Sequence, residues 1–176
     1  PIFAYPYDPD KARALLKEAN IPDGFKVKLW SPSGRYTAVV EVSQAVAGYL
    51  GDVGLDVEYQ TFEWGHYIDI ISNPLEETER EIFYIAHAPS TGDADWGIRP
   101  MYYSKEWPTA GKPGNNRYLY SNPKADALIE QGMVTADQDK RKKIYEELQR
   151  TLVEDAPVLM LYEINQIVAY STGLNN

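Results

Sequence analysis

A single α/β domain over residues 1–176, built on a mixed, largely parallel sheet with flanking helices, is the fold class this sequence predicts. Three observations predict it. A helical pattern runs into a strand pattern twice in close succession, which implies a βαβ unit with parallel pairing. Hydrophobic residues at 44% and charged residues at 24% are ordinary for a globular chain with one core. No repeat or low-complexity tract divides the chain.

Asp8-Pro9 opens the first helix, with a carboxylate placed to cap unpaired amides and a proline whose missing N–H costs nothing there. Ala12, Leu15, Leu16 and Ala19 share one face, and "NIPDG" ends the helix. "FKVKLWS", about residues 25 to 31, alternates Phe25, Val27, Leu29 and Ser31 with two lysines and Trp30 and reads as a strand. After the turn "SPSGR", Thr37 is expected to cap a second helix with the stripe Val42, Ala45, Val46, Tyr49, Leu50, Val53. "LDVEYQTFEW" then alternates Leu55, Val57 and Tyr59 against Asp56, Glu58 and Gln60 as a second strand. "EWGHYIDIIS" predicts a short helix, "EETERE" a solvated connection and "IFYIAHA" a third, buried strand.

Residues 90–121 carry many glycines, prolines and aromatics with little periodicity, which predicts a long loop holding one short helix near Gly97 to Tyr103. Asn122-Pro123 repeats the cap-plus-proline start, with Ala125, Leu128, Ile129 and Met133 as the helical face. Asp137 is expected to cap the next helix, striped by Ile144, Tyr145, Leu148 and Leu152. "PVLMLYEINQIVAYS" is expected to close the fold with two short strands around Glu163 to Asn165.

The formal net charge of −9 argues against nucleic acid and anionic membranes as partners, because both require clustered cations. With no cysteine there is neither a disulfide framework nor a thiolate metal site. No apolar run approaches the roughly 20 residues of a membrane span, and no signal peptide is recognisable. The ends read as cuts, so the chain is expected to be a piece of something longer.

The chemistry concentrates in "STGDADWGIRP", residues 90–100. Asp93 and Asp95 lie two apart and repel unless a cation or several N–H donors relieve them. Either can cap the helix near Trp96, and neither is placed across a substrate from the other as glycoside hydrolysis requires. His66 and His87 have no carboxylate at helical metal-site spacing. His87, at a strand end, is the better candidate for a site, although a rim or core histidine is the commoner fate. Arg35 follows a strand's carboxyl end and precedes a helix, where open α/β sheets bind ligands, and a guanidinium there offers a planar fork to a carboxylate. Trp30, Trp64, Trp96 and Trp107 lie in or near junctions from which aromatics can line a cleft. No catalytic triad pattern or phosphate loop is present.

Taken together, "YPYDPDKARALLKEANIPDGFKVKL", "SPSGRY", "VGLDVEYQTFEWGHY", "STGDADWGIRPMYYS", "NNRYLYSNPKADALI" and "DQDKRKKIYEELQRTLVEDAPVLMLY" resemble the extracytoplasmic solute-binding proteins of peptide-type ABC importers. These are the dipeptide, oligopeptide, glutathione and nickel receptors. The resemblance covers nearly the whole chain and implies the C-terminal lobe of a two-lobed, type II periplasmic-binding-protein-like receptor at the periplasmic or outer cell face. It implies a small peptide ligand, an N-terminal lobe and an ABC permease as partners, no cofactor and no enzyme activity. In dipeptide-binding members the arginine matching Arg35 pairs with the ligand carboxylate. The acid that holds the peptide amine falls where this chain reads "APSTG", and "STGDADW" is closer to the glutathione-type receptors.

The expected ligand-binding residues are Arg35, Tyr36, Trp64, His87, Asp93, Asp95 and Trp96, with Asp93 the ligand-facing acid and Asp95 the structural one. Alternatives within the family are oligosaccharide and nickel-chelate receptors. Outside it, the acids and tryptophans would suit a carboxylate-dependent glycan hydrolase.

Overall fold

The computed structural model of the chain describes residues 5–163. Local chemistry sets the first element: Asp8 accepts from the Lys11 amide at 2.9 Å and Pro9 takes the first position of α1 (Pro9–Glu18). Its apolar face forms as expected, yet α1 buries no residue and Leu15 is 53% exposed.

β1 (Phe25–Ser33) and β2 (Leu55–Glu63) pair in parallel, from Phe25 opposite Leu55 to Ser33 opposite Glu63, with α2 (Val39–Asp52) as the crossover. β3 (Ile82–Phe83) pairs in parallel on the other side of β1, giving the order β2-β1-β3. The helix α3 (Trp64–Ile71) follows β2 directly, with the Glu63 carboxylate accepting from the Gly65 amide at 2.8 Å.

Several elements differ from the sequence pattern. Thr37 does not cap α2; Ala38 holds that position in the left-handed region at φ 54°, without a side-chain cap. Its buried residues are Val39 and Ser43, while Ala45 and Tyr49 of the expected stripe are exposed. Trp30, expected on the side of β1 opposite the core, is 7% exposed, because Leu29 to Pro32 lie inside a strand flanked on both edges and covered on both faces. "IFYIAHA" pairs only at Ile82 and Phe83, after which the Tyr84 amide donates to the Trp30 carbonyl at 2.9 Å and the chain turns away. The two short strands expected around Glu163 to Asn165 lie outside the described residues, which end at Glu163.

The long loop carries α4 (Ala94–Tyr102), beginning three residues earlier than the expected Gly97. Two further helices follow where their caps place them: α5 (Pro123–Val134), capped by Asn122, and α6 (Gln138–Asp155), capped by Asp137. Leu128, Ile129, Tyr145 and Leu148 of α5 and α6 close with Tyr102 into one core, and Trp30, Tyr67 and Ile71 form a second beneath the sheet. Tyr118 joins the two cores, its ring stacked on Phe83 at 5.4 Å and on Tyr102 at 5.8 Å.

The order β2-β1-β3 puts the chain reversal at β1, so the crevice outside the carboxyl ends of the strands is a topological switch point. The residues that leave β1, β2 and β3 form its rim.

Candidate functional site

Three of the expected residues meet on this rim. Gly34, at φ 71°, turns the chain out of β1 in a conformation that a side chain resists, and Arg35 and Tyr36 follow. Trp64 enters from the end of β2. The Arg35 guanidinium lies 4.9 Å from the Trp64 ring centre and 5.8 Å from that of Tyr36, a cation–π stack that holds the group without neutralising it. Arg35 makes no ion pair with any described residue. Tyr36 packs edge-on against Trp64 at 5.8 Å and against Tyr84, just after β3, also at 5.8 Å. All three strand ends therefore contribute to one aromatic rim around a guanidinium.

His87 and Trp96 belong to an adjoining cavity of about 150 Å³, whose other lining residues include Ile85, Met101, Arg117 and Tyr118. Desolvation against the cavity wall holds His87 below the usual imidazole range, so its ring is neutral at pH 7.

The two acids of the loop have partners within the chain. Asp93 caps α4, accepting from the Asp95 amide at 2.8 Å, and takes the Arg141 fork with both oxygens at 3.0 and 2.8 Å. That guanidinium, first, and the Asp95 amide, second, hold its carboxyl below the ordinary carboxylate range. Asp95 accepts from Arg99 at 3.0 Å, and Arg99 also reaches Glu106 at 3.0 Å. The mutual repulsion expected of the pair is thus relieved by two arginines.

A carboxyl with a lowered folded-state pKa contributes stability that is complete above its unfolded value, ~4, and is lost as pH falls through the folded value. Acidification below about pH 4 is expected to loosen the start of α4. Trp96 fluorescence should report a transition that Asp93→Asn removes; identical titrations of the two proteins would show that the pair contributes nothing.

Sequence reasoning missed Arg117, Tyr84, Tyr118 and Arg141. One signal for Arg117 was present: no acid occurs between Glu106 and Asp126, so a cation there lacks a neighbour to neutralise it. Arg141 is paired with Asp93 across 48 residues, a relation no local pattern contains.

Known proteins resemble the chain in sequence and in fold. The family described as bacterial extracellular solute-binding proteins, family 5 middle, matches residues 1–109. The glutathione-binding protein GsiB of Pectobacterium atrosepticum is 35% identical over 171 residues, 97% of this chain and 32% of its own length. The periplasmic binding protein DppA of Helicobacter pylori, solved with the peptide STSA, superimposes with a TM-score of 0.77 at 25% identity, over 87% of this chain and 28% of that one. A dipeptide-binding protein from Pseudoalteromonas sp. SM9913, solved with Met-Leu, gives 0.74 at 25% identity, over 86% and 29%. The chain spans about a third of the length of the curated relatives it matches.

Proposed function

The chain belongs to the bacterial extracellular solute-binding proteins of family 5, and from that membership we propose that it is one lobe of the substrate-binding component of a peptide-importing ABC transporter. The full receptor stands outside the cytoplasmic membrane, closes this lobe and an N-terminal lobe around a small, glutathione-like peptide, and presents the closed form to a membrane permease. Closure is driven by a ligand that touches both lobes only when they are shut. The protein binds its guest and does not transform it.

One observation carries the reading. Arg35 stands at the switch-point crevice, stacked on Trp64 and without an ionic partner among the described residues. A guanidinium pre-oriented by an aromatic face presents its fork to a planar carboxylate at little entropic cost. A glycan hydrolase is disfavoured by the same structure: Asp93 and Asp95 lie on one helix start, each committed to an arginine, and Asp93 is held ionised, whereas hydrolysis needs one carboxyl kept protonated across the sugar.

In the full-length receptor, Arg35→Gln is expected to weaken binding of glutathione by about 10- to 100-fold, measured by calorimetry. Unchanged affinity would remove Arg35 from the site. A thermal-shift screen of peptides, oligosaccharides and nickel chelates tests the ligand class, because only a bound ligand raises the melting temperature by mass action. Stabilisation by sugars or chelates alone would overturn the peptide reading.

A further inference from the structure

We propose that Arg117 is a second anion grip, so that the ligand is a small peptide carrying at least two carboxylates, one for Arg35 and one for Arg117. The proposal rests on the peptide-receptor reading and adds to it the charge of the guest.

The loop that bears Arg117 is fixed in place. Asn116 is fully buried, donating to the carbonyls of Tyr103 at 3.0 Å and Tyr120 at 2.9 Å and accepting from the Tyr120 amide at 3.2 Å. Arg117 then donates Nε to the Ser72 hydroxyl at 2.9 Å, and that is the side-chain hydrogen bond it makes with the described residues. Its two terminal nitrogens have no partner among the described residues, which leaves them for a guest. The residue lines the cavity shared with His87 and Trp96. Cavities of roughly 150 Å³ hold a benzene-sized molecule, so a short arm ending in a carboxylate fits.

A second guanidinium lies behind the first. Arg80 is 8% exposed; it donates Nε to the Arg117 carbonyl at 2.9 Å and Nη1 to the Asn73 carbonyl at 2.8 Å, while Nη2 is buried without a partner among the described residues. Burial first, and the Arg117 charge second, lower its pKa to about 10. Burial lowers Arg117 as well. Neither forms an ion pair with a described residue. Two cations partly drawn out of water, one bonded to the backbone of the other, are costly until an anion joins them. The acids of the neighbouring loop do not serve, because Asp93 is held by Arg141 and Asp95 by Arg99.

Tyr36 joins this subsite to the first. It touches Tyr84 on the rim that holds Arg35, and Tyr84 leads directly to Ile85 in the cavity wall.

The test uses the full-length receptor and calorimetry with three probes: glutathione, glutathione amidated at its glycine carboxylate, and the analogue lacking the γ-glutamyl α-carboxylate. Arg117→Gln is expected to weaken glutathione and one singly blocked probe by about 10- to 100-fold, and to leave the other blocked probe within about twofold, since the group it would have met is already gone. Arg117→Lys, which keeps the charge and loses the fork, should fall between. Equal losses for all three probes, or none, would overturn the second grip while leaving the peptide reading intact. Failure of the unmutated receptor to bind any of the three would overturn both. Wild-type preference for glutathione over each blocked probe is read without a variant, so a poorly folded Arg117→Gln does not shelter the proposal: absence of that preference refutes it.

Discussion

Tyr67→Ala is expected to cost about 3 to 5 kcal/mol of stability, the range for removing a buried aromatic ring. Tyr67 has no exposed surface, and its ring packs on Phe62 at 6.4 Å and Trp64 at 6.3 Å in the core beneath the rim. Its hydroxyl donates to the Tyr84 carbonyl at 2.6 Å, with the Trp30 carbonyl at 3.2 Å as a second acceptor. That single proton sits between β1 and the chain leaving β3. Burial pushes the phenol far above its usual range, so it stays protonated and able to donate at any working pH.

Tyr67→Phe separates the two contributions. The ring remains, but the Tyr84 carbonyl loses its donor inside the protein, at a cost of about 1 to 3 kcal/mol. The Trp30 carbonyl suffers less because it still accepts from the Tyr84 amide. Urea unfolding of the two variants is the measurement, with unchanged slopes required for the midpoints to report stability alone. A Phe variant as stable as the parent would show that the bridge between β1 and the rim is energetically idle.

What could be seen in the sequence divides along the range of the interactions. Asp8-Pro9, Asn122-Pro123 and Asp137 marked helix starts correctly because a side-chain oxygen and an amide two or three residues on are the whole of the cause. The alternation of β2 was equally plain, since one face of an edge strand meets solvent. β1 misled because its lysines lie in the half that emerges, while its carboxyl half is enclosed. Leu15 shows the same limit: periodicity indicates which face of α1 is apolar, and nothing local says what covers it.

The site divides in the same way. Arg35, Tyr36 and Trp64 were legible as candidates because each follows a strand, and strand ends at a switch point are close in space whatever else the fold does. Asp93 and Asp95 were legible as alternative caps for the helix near Trp96, and Asp93 takes that position while Asp95 falls in the first turn. Their arginine partners were not equally legible: Arg99 is one helical turn from Asp95, but Arg141 reaches Asp93 only because α6 packs back along the molecule. The charge left over at Arg80 and Arg117 is likewise a tertiary fact, visible only once the pairs elsewhere are known.

Gly114→Ala is expected to destabilise by about 3 kcal/mol or more, at or above the usual upper bound for adding one methyl group to a packed interior. A β-carbon at this position would collide with the Glu106 carbonyl oxygen, the Pro108 nitrogen and the Trp107 carbonyl carbon. These three nearest atoms are all backbone, so relief requires two chain segments to part. Gly132 provides the contrast. There the nearest atoms are the Tyr145 ring at 2.8 Å, a side chain that can tilt, and Gly132→Ala is expected to cost about 1 to 3 kcal/mol. Parting the segments at Gly114 also breaks the Asn116 amide bond to the Glu106 carbonyl, 3.0 Å long, and with it the anchor that positions Arg117. The variant should therefore melt roughly 6 to 12 °C lower, and at temperatures where it remains folded it should lose affinity for glutathione as Arg117→Gln does. A Gly132→Ala variant that falls further than Gly114→Ala would contradict the close backbone approach from which both expectations derive.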